Sequence, residues 1–184
     1  MRFLIGIWTA AFKWPLTFFI DALFLRKVRR QAGPGFDAWA RAAAAAGPEA
    51  IARAVAERVE YVLDPVRGIV DFVTAPAVTW GRRYGDCDDF AYLSAELCRR
   101  AGLESWVVSY VCWNVKDSHV VCLYRDGSGY GLLDQGLLRG GFATLGDAAS
   151  AARPKSRVAG EYVRRYGRGP DLIGKWIIGD SGRP

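Results

Sequence analysis

A cysteine, a histidine and an aspartate follow one another in chain order where acyl chemistry can be built from them. Cys87 lies in "YGDCDDFAYLSAELC", residues 84–98. Asp86 reads as a helix N-cap there, and Asp89, three residues on, as its capping-box partner. That puts Cys87 at the first helical position, facing the positive end of the helix dipole and unbonded amide groups. Both favour the thiolate, the nucleophilic form. The aspartates oppose a further negative charge, so the thiol needs a basic neighbour. Asp88 is expected to face solvent or a basic partner.

His119 is the single histidine of the chain. It opens "HVVCLYR", residues 119–125, and Asp134 closes "YGLLD", residues 130–134, one hairpin later. Adjacent antiparallel strands would set His119 beside Asp134 near one sheet edge. A helix packed on that sheet would bring Cys87 to the imidazole. His119 would then take the thiol proton, while Asp134 holds the ring's tautomer and stabilises its charge. Asn114 and Asp117, in the loop before the histidine, are alternative orienting groups.

The elements that must position these residues are legible as changes of period. "FDAWARAAAAA" favours helix by propensity, and Gly47 ends it. Pro48 opens a second helix over residues 48–62, with Ile51, Val55, Val59 and Val62 as its stripe. Residues 71–80 are ambiguous, with Pro76 inside them. The Cys87 helix carries Phe90, Leu93, Leu97 and Cys98 on one face, and "RRAGL" closes it. Residues 105–113, 119–125 and 130–134 then alternate as strands, with "RDGSG" as a hairpin turn. A last strand is expected at residues 175–179, after a polar connection. Residues 113–118 and 137–157 read as loops that shape a pocket. Helices first and antiparallel strands later imply an α+β domain.

Composition narrows the function. The chain has 184 residues, 51% of them hydrophobic, enough for one domain core with an appendage. Net charge is +6, but the basic residues form no long run, so no specific nucleic-acid partner is implied. Of four cysteines none forms a CxxC pair, and with a single histidine no zinc site of ordinary spacing is expected. No metal or cofactor is implied. Cys98, Cys112 and Cys122 have the apolar neighbours of small buried hydrophobes. Cys87, among charges and glycines, does not. Free thiols favour a reducing compartment.

"GDCDDFA", then "SHVV", then "LLD" resembles the transglutaminase-like superfamily of papain-type cysteine enzymes, in its short bacterial and phage-encoded form. The segment "YVLDPVRGIVDFVTAPAVTWGRRYGDC" is similar to that family's lead-in to its cysteine, so the resemblance covers roughly residues 59–134. It implies a Cys-bearing helix packed on an antiparallel sheet, with Cys87 as nucleophile, His119 as base and Asp134 as third member. It leaves the oxyanion donor open between the backbone N–H of Cys87 and the side chain of Trp80. Asp88 stands where the crosslinking animal enzymes carry an aromatic residue, which favours hydrolysis over crosslinking.

The expected protein is therefore a cysteine hydrolase acting on an amide or peptide bond, with a peptide or protein substrate. Acyl transfer to an amine is one alternative, and a non-catalytic binding or assembly protein is another. Residues 1–30 form a hydrophobic arm and residues 36–184 the domain. Between residues 3 and 25 only Lys13 and Asp21 are charged, and Pro15 interrupts the run. The basic cluster after it would keep the domain cytoplasmic if the arm spanned a bilayer. Docking to a membrane surface or to a virion or other assembly is weighed against packing on the arm's own domain.

Overall fold

The computed structural model describes residues 34–63, 74–167 and 172–173. The apolar arm, the expected strand at residues 175–179 and part of the ambiguous segment lie outside them. Chain order is α1 (Pro34–Ala45), α2 (Pro48–Arg58), β1 (Glu60–Tyr61), α3 (Pro76–Arg82), β2 (Tyr84–Gly85) and α4 (Cys87–Arg100). Then come β3 (Glu104–Cys112), a 3-10 turn (Val115–Asp117), β4 (His119–Asp126), β5 (Gly129–Asp134), β6 (Leu137–Phe142), α5 (Leu145–Ala152), β7 (Val158–Arg165) and β8 (Leu172–Ile173). Helices lead and antiparallel strands follow, so the α+β class holds.

Six strands form one antiparallel sheet in the order β6-β5-β4-β3-β7-β8. Its side chains alternate between two cores, as the period of two requires. Val107, Cys122, Tyr124 and Leu133 face the helices α1, α2 and α4. Trp106, Val108, Leu123 and Leu132 face Ala148, Ala149 and Ala152 of α5 on the other side. Each fully buried aliphatic side chain contributes about 1.5–3 kcal/mol. α4 is the centre of the helical layer: every residue from Asp88 to Cys98 is buried.

Three expectations are corrected. α2 ends at Arg58, and Val59 turns extended so that the next residues can pair with β2. Val62 is therefore 42% exposed and belongs to no helical stripe. Residues 137–157 hold β6 and α5 rather than loops alone. β6 is an edge strand with no buried residue, so it has no alternation to read. The polar connection before the last expected strand contains β7, which pairs with β3 in the sheet interior. Its Arg164 and Arg165 find partners in the Tyr92 hydroxyl and Glu104, which is how a strand rich in arginine sits there.

Candidate active site

Asp86 has the extended backbone of an N-cap, and Cys87 begins α4, as the capping pattern predicts. Asp86 and Asp89 form the capping box, with the Asp86 N–H donating to Asp89 Oδ2 at 3.3 Å. Asp89 does more than cap. It is 1% exposed and accepts hydrogen bonds from Thr74, from Thr79 at 3.1 Å and from the Arg82 guanidinium. Burial pushes its carboxyl above the ordinary aspartate value. The Thr74 bond and the Arg82 charge oppose that rise, and the Asp86 charge adds to it. Arg82 also donates from Nε to the Tyr84 carbonyl at 2.7 Å. One side chain thus ties α3, β2 and the start of α4 together.

This packing explains the glycine two places before the cysteine. A Cβ on Gly85 would stand 2.5 Å from Asp89 Oδ2, inside van der Waals contact. Asp88 does not turn to solvent as expected; it is 4% exposed. The helix start therefore gathers three buried carboxylates beside a half-buried thiol.

His119 opens β4 and Asp134 ends β5. Continuing the register Cys122↔Leu133 sets Asp134 opposite Val121, so His119 is its diagonal neighbour. The side chains close that diagonal, with His119 Nε2 2.9 Å from Asp134 Oδ1. A carboxylate accepts only from Nε2–H, so the neutral ring carries its lone pair on Nδ1. The alternative orienting groups are engaged elsewhere. Asn114 Nδ2 donates to Asp117 Oδ2 at 2.9 Å, and the Ser156 hydroxyl lies 2.6 Å from the same oxygen. They fasten the loop ahead of His119 to the segment before β7.

Trp80 sits in the helical layer. Its ring meets Phe36 and Trp39, with the Arg58 guanidinium 4.3 Å above it. Its indole N–H is buried without a hydrogen-bond partner among the described residues.

Tyr61, which the sequence did not single out, lies near this helix start. It stands on β1 opposite Gly85. Burial pushes its phenol up to about 12, with further upward contributions from Cys87, Asp86, Asp134 and Asp88. The charges at the helix start and on the strand that carries Asp134 thus both act on this phenol. Arg82, Thr74 and Thr79 were missed as well. In sequence Arg82 is one member of a basic pair, and nothing local joins it to Asp89 seven residues on.

No helix among the described residues is long and apolar enough to cross a membrane. A family model described as the transglutaminase-like superfamily matches residues 32–134. No curated protein matches the chain. Among solved structures, Legionella pneumophila LapG is similar at a TM-score of 0.54 and 18% identity, covering 85% of this chain and 88% of that one. The structure described as calcium-bound LapG gives 0.51 and 17%, covering 76% and 82%. The EGTA-treated one gives 0.51 and 16%, covering 82% and 90%. At these identities the likeness is one of fold.

Proposed function

The chain belongs to the transglutaminase-like superfamily, and on that premise we propose that it is a cysteine hydrolase cleaving an amide or peptide bond through a Cys87 thioester. The observation that carries the reading is the 2.9 Å contact of His119 Nε2 with Asp134 Oδ1. It leaves Nδ1 as the base. Nδ1 takes the Cys87 thiol proton as sulfur bonds to the substrate carbonyl carbon. The imidazolium, held by Asp134, returns the proton to the leaving nitrogen as the C–N bond breaks. Water then adds to the thioester, losing a proton to Nδ1, and the acid departs as sulfur regains it. An amine in place of water would make the same thioester an acyl donor.

Iodoacetamide alkylation of each cysteine, followed by mass spectrometry across pH, tests this. Cys87 should react fastest, well below the ordinary thiol value of about 8.5, and lose that lead in His119→Ala. Were Cys87 no faster than Cys98, Cys112 and Cys122, or indifferent to His119→Ala, a binding or assembly role would replace catalysis.

A second reading concerns the acidic turn. The carboxylate oxygens of Asp86, Asp88 and Asp89 lie within 4.8 Å of one another. Asp89 is already spent on Thr74, Thr79 and Arg82. Asp86 Oδ1 is buried with no hydrogen-bond partner among the described residues. Oxygen donors of this kind fit a hard cation, and the relative's structure described as calcium-bound names one. The cysteine and histidine spacing that argues against zinc says nothing against an oxygen site. Asp86 and Asp88 would hold calcium, which would add positive charge beside that of Arg82. Calcium at about 1 mM should raise the unfolding midpoint by about 2–5 °C, with reversal by EGTA and loss in Asp86→Asn. No shift on titration would sink this reading.

A further inference from the structure

Acylation of a thiolate puts negative charge on the substrate's carbonyl oxygen. Two donors aimed at that oxygen are the usual means of stabilising it. The Cys87 backbone N–H is one, because the first amide groups of a helix have no acceptor within it. A side chain beside the thiol can supply the second. Trp80 is packed against Phe36, Trp39 and Arg58 in the helical layer.

We propose that Tyr61 is the second oxyanion donor, its phenol hydroxyl sharing the substrate oxygen with the Cys87 N–H. The inference rests on the thioester reading and names a catalytic residue for it. Three geometric facts support it. The Glu60 N–H donates to the Arg83 carbonyl and the Val62 N–H to the Gly85 carbonyl, each at 2.9 Å, so the backbone is clamped on both sides of Tyr61. Gly85, opposite Tyr61 in that pairing, lies two residues before the nucleophile. The Tyr61 ring meets Phe90, three residues after the nucleophile, at a centroid distance of 6.1 Å. The ring is therefore held across the first turn of the catalytic helix.

The hydroxyl is also available. Tyr61 is 43% exposed, and no described residue hydrogen-bonds its oxygen. Burial and the surrounding Cys87, Asp86, Asp134 and Asp88 hold its proton on to about pH 12. It is thus a donor throughout the range in which a thiolate–imidazolium pair works.

Two reactions of one sulfur separate this inference from the reading beneath it. Iodoacetamide alkylates by displacement at a saturated carbon, and no oxyanion forms. p-Nitrophenyl acetate acylates through a tetrahedral oxyanion: sulfur bonds to the acetyl carbon, and p-nitrophenolate leaves with the electron pair. Rates are read for the wild type and Tyr61→Phe, with Cys87→Ala as background. The variant keeps the ring on Phe90 and removes only the hydroxyl. The expected result is acylation slowed about a hundredfold, with alkylation unchanged within about twofold. Undiminished acylation overturns the assignment while leaving the thioester reading intact. An equal loss in both reactions also overturns it, because the hydroxyl would then act on the thiolate. If wild-type Cys87 is unreactive in both, the thioester reading fails and this inference falls with it.

Discussion

The two ends of α4 solve the problem of buried charge in opposite ways. At the C-terminal end Glu96 is 7% exposed and ringed by cations. Arg99 donates to it from Nε at 2.9 Å and from Nη2 at 2.6 Å, and Arg100 from Nε at 2.8 Å. Arg100 continues to Asp37 of α1 at 2.7 Å. Burial pushes the Glu96 carboxyl up, but the bonds and charges of the two arginines more than offset it, and the net shift is downward. At the N-terminal end three carboxylates are buried, and Asp89 is ion-paired to Arg82. There the net shift on Asp89 is upward. Both ends obey the helix dipole, acids first and bases last. They differ in which influence wins on the buried acid, the arginines at Glu96 and burial at Asp89. The C-terminal end holds helices together. The other end is where the thiol sits.

Substitutions can break this contrast from either side. The largest expected effect is at Asp89. Asp89→Ala leaves the Arg82 guanidinium and two threonine hydroxyls without their acceptor. It should cost about 3–5 kcal/mol of unfolding free energy in urea titration. It should also slow Cys87 chemistry, since α3, β2 and the start of α4 lose their common tie. A cost near zero would mean that the acid cluster is held from elsewhere.

Glu96→Gln should cost less, about 1–3 kcal/mol at neutral pH, with Cys87 alkylation unchanged. Its pH dependence sharpens the comparison. The folded-state value of Glu96 lies below its unfolded value of about 4.3. Its contribution is therefore fully present above that value and is lost as pH falls through the lower, folded one. Urea midpoints between about pH 5 and 2 should fall less steeply for Glu96→Gln than for the wild type. The raised carboxyl of Asp89 carries the opposite sign: its contribution is present at low pH and is lost as pH rises through the folded value. Parallel acid limbs for wild type and Glu96→Gln would show that Glu96 is not the group that distinguishes the two ends.

Legibility in the sequence followed the range of each interaction. The Asp86–Asp89 capping box, the Cys87 helix and the hairpin between β4 and β5 all appear in the structure as read. Their signals lie within a few residues: an i,i+3 pair of acids, a 3.6-residue apolar stripe, and alternation on either side of a glycine turn. α5 carried such a signal too, a capping box between Thr144 and Asp147 ahead of an alanine run. β6 and β7 offered none, one because no face is buried and the other because arginines interrupt its alternation.

The sequence by itself determined which residue types are available for acyl chemistry and, through local caps and turns, that Cys87 starts a helix while His119 and Asp134 bound neighbouring strands. Only the tertiary structure decided that Asp134 rather than Asp117 or Asn114 meets the imidazole. Only it set Trp80 against Arg58 and Tyr61 across from Gly85, and locked Asp89 with Thr74, Thr79 and Arg82. The physical reason is that a cap or a turn is decided by backbone geometry within one turn of chain. A contact between distant residues exists only after packed layers bring their backbones together, and one sequence carries no direct record of that meeting.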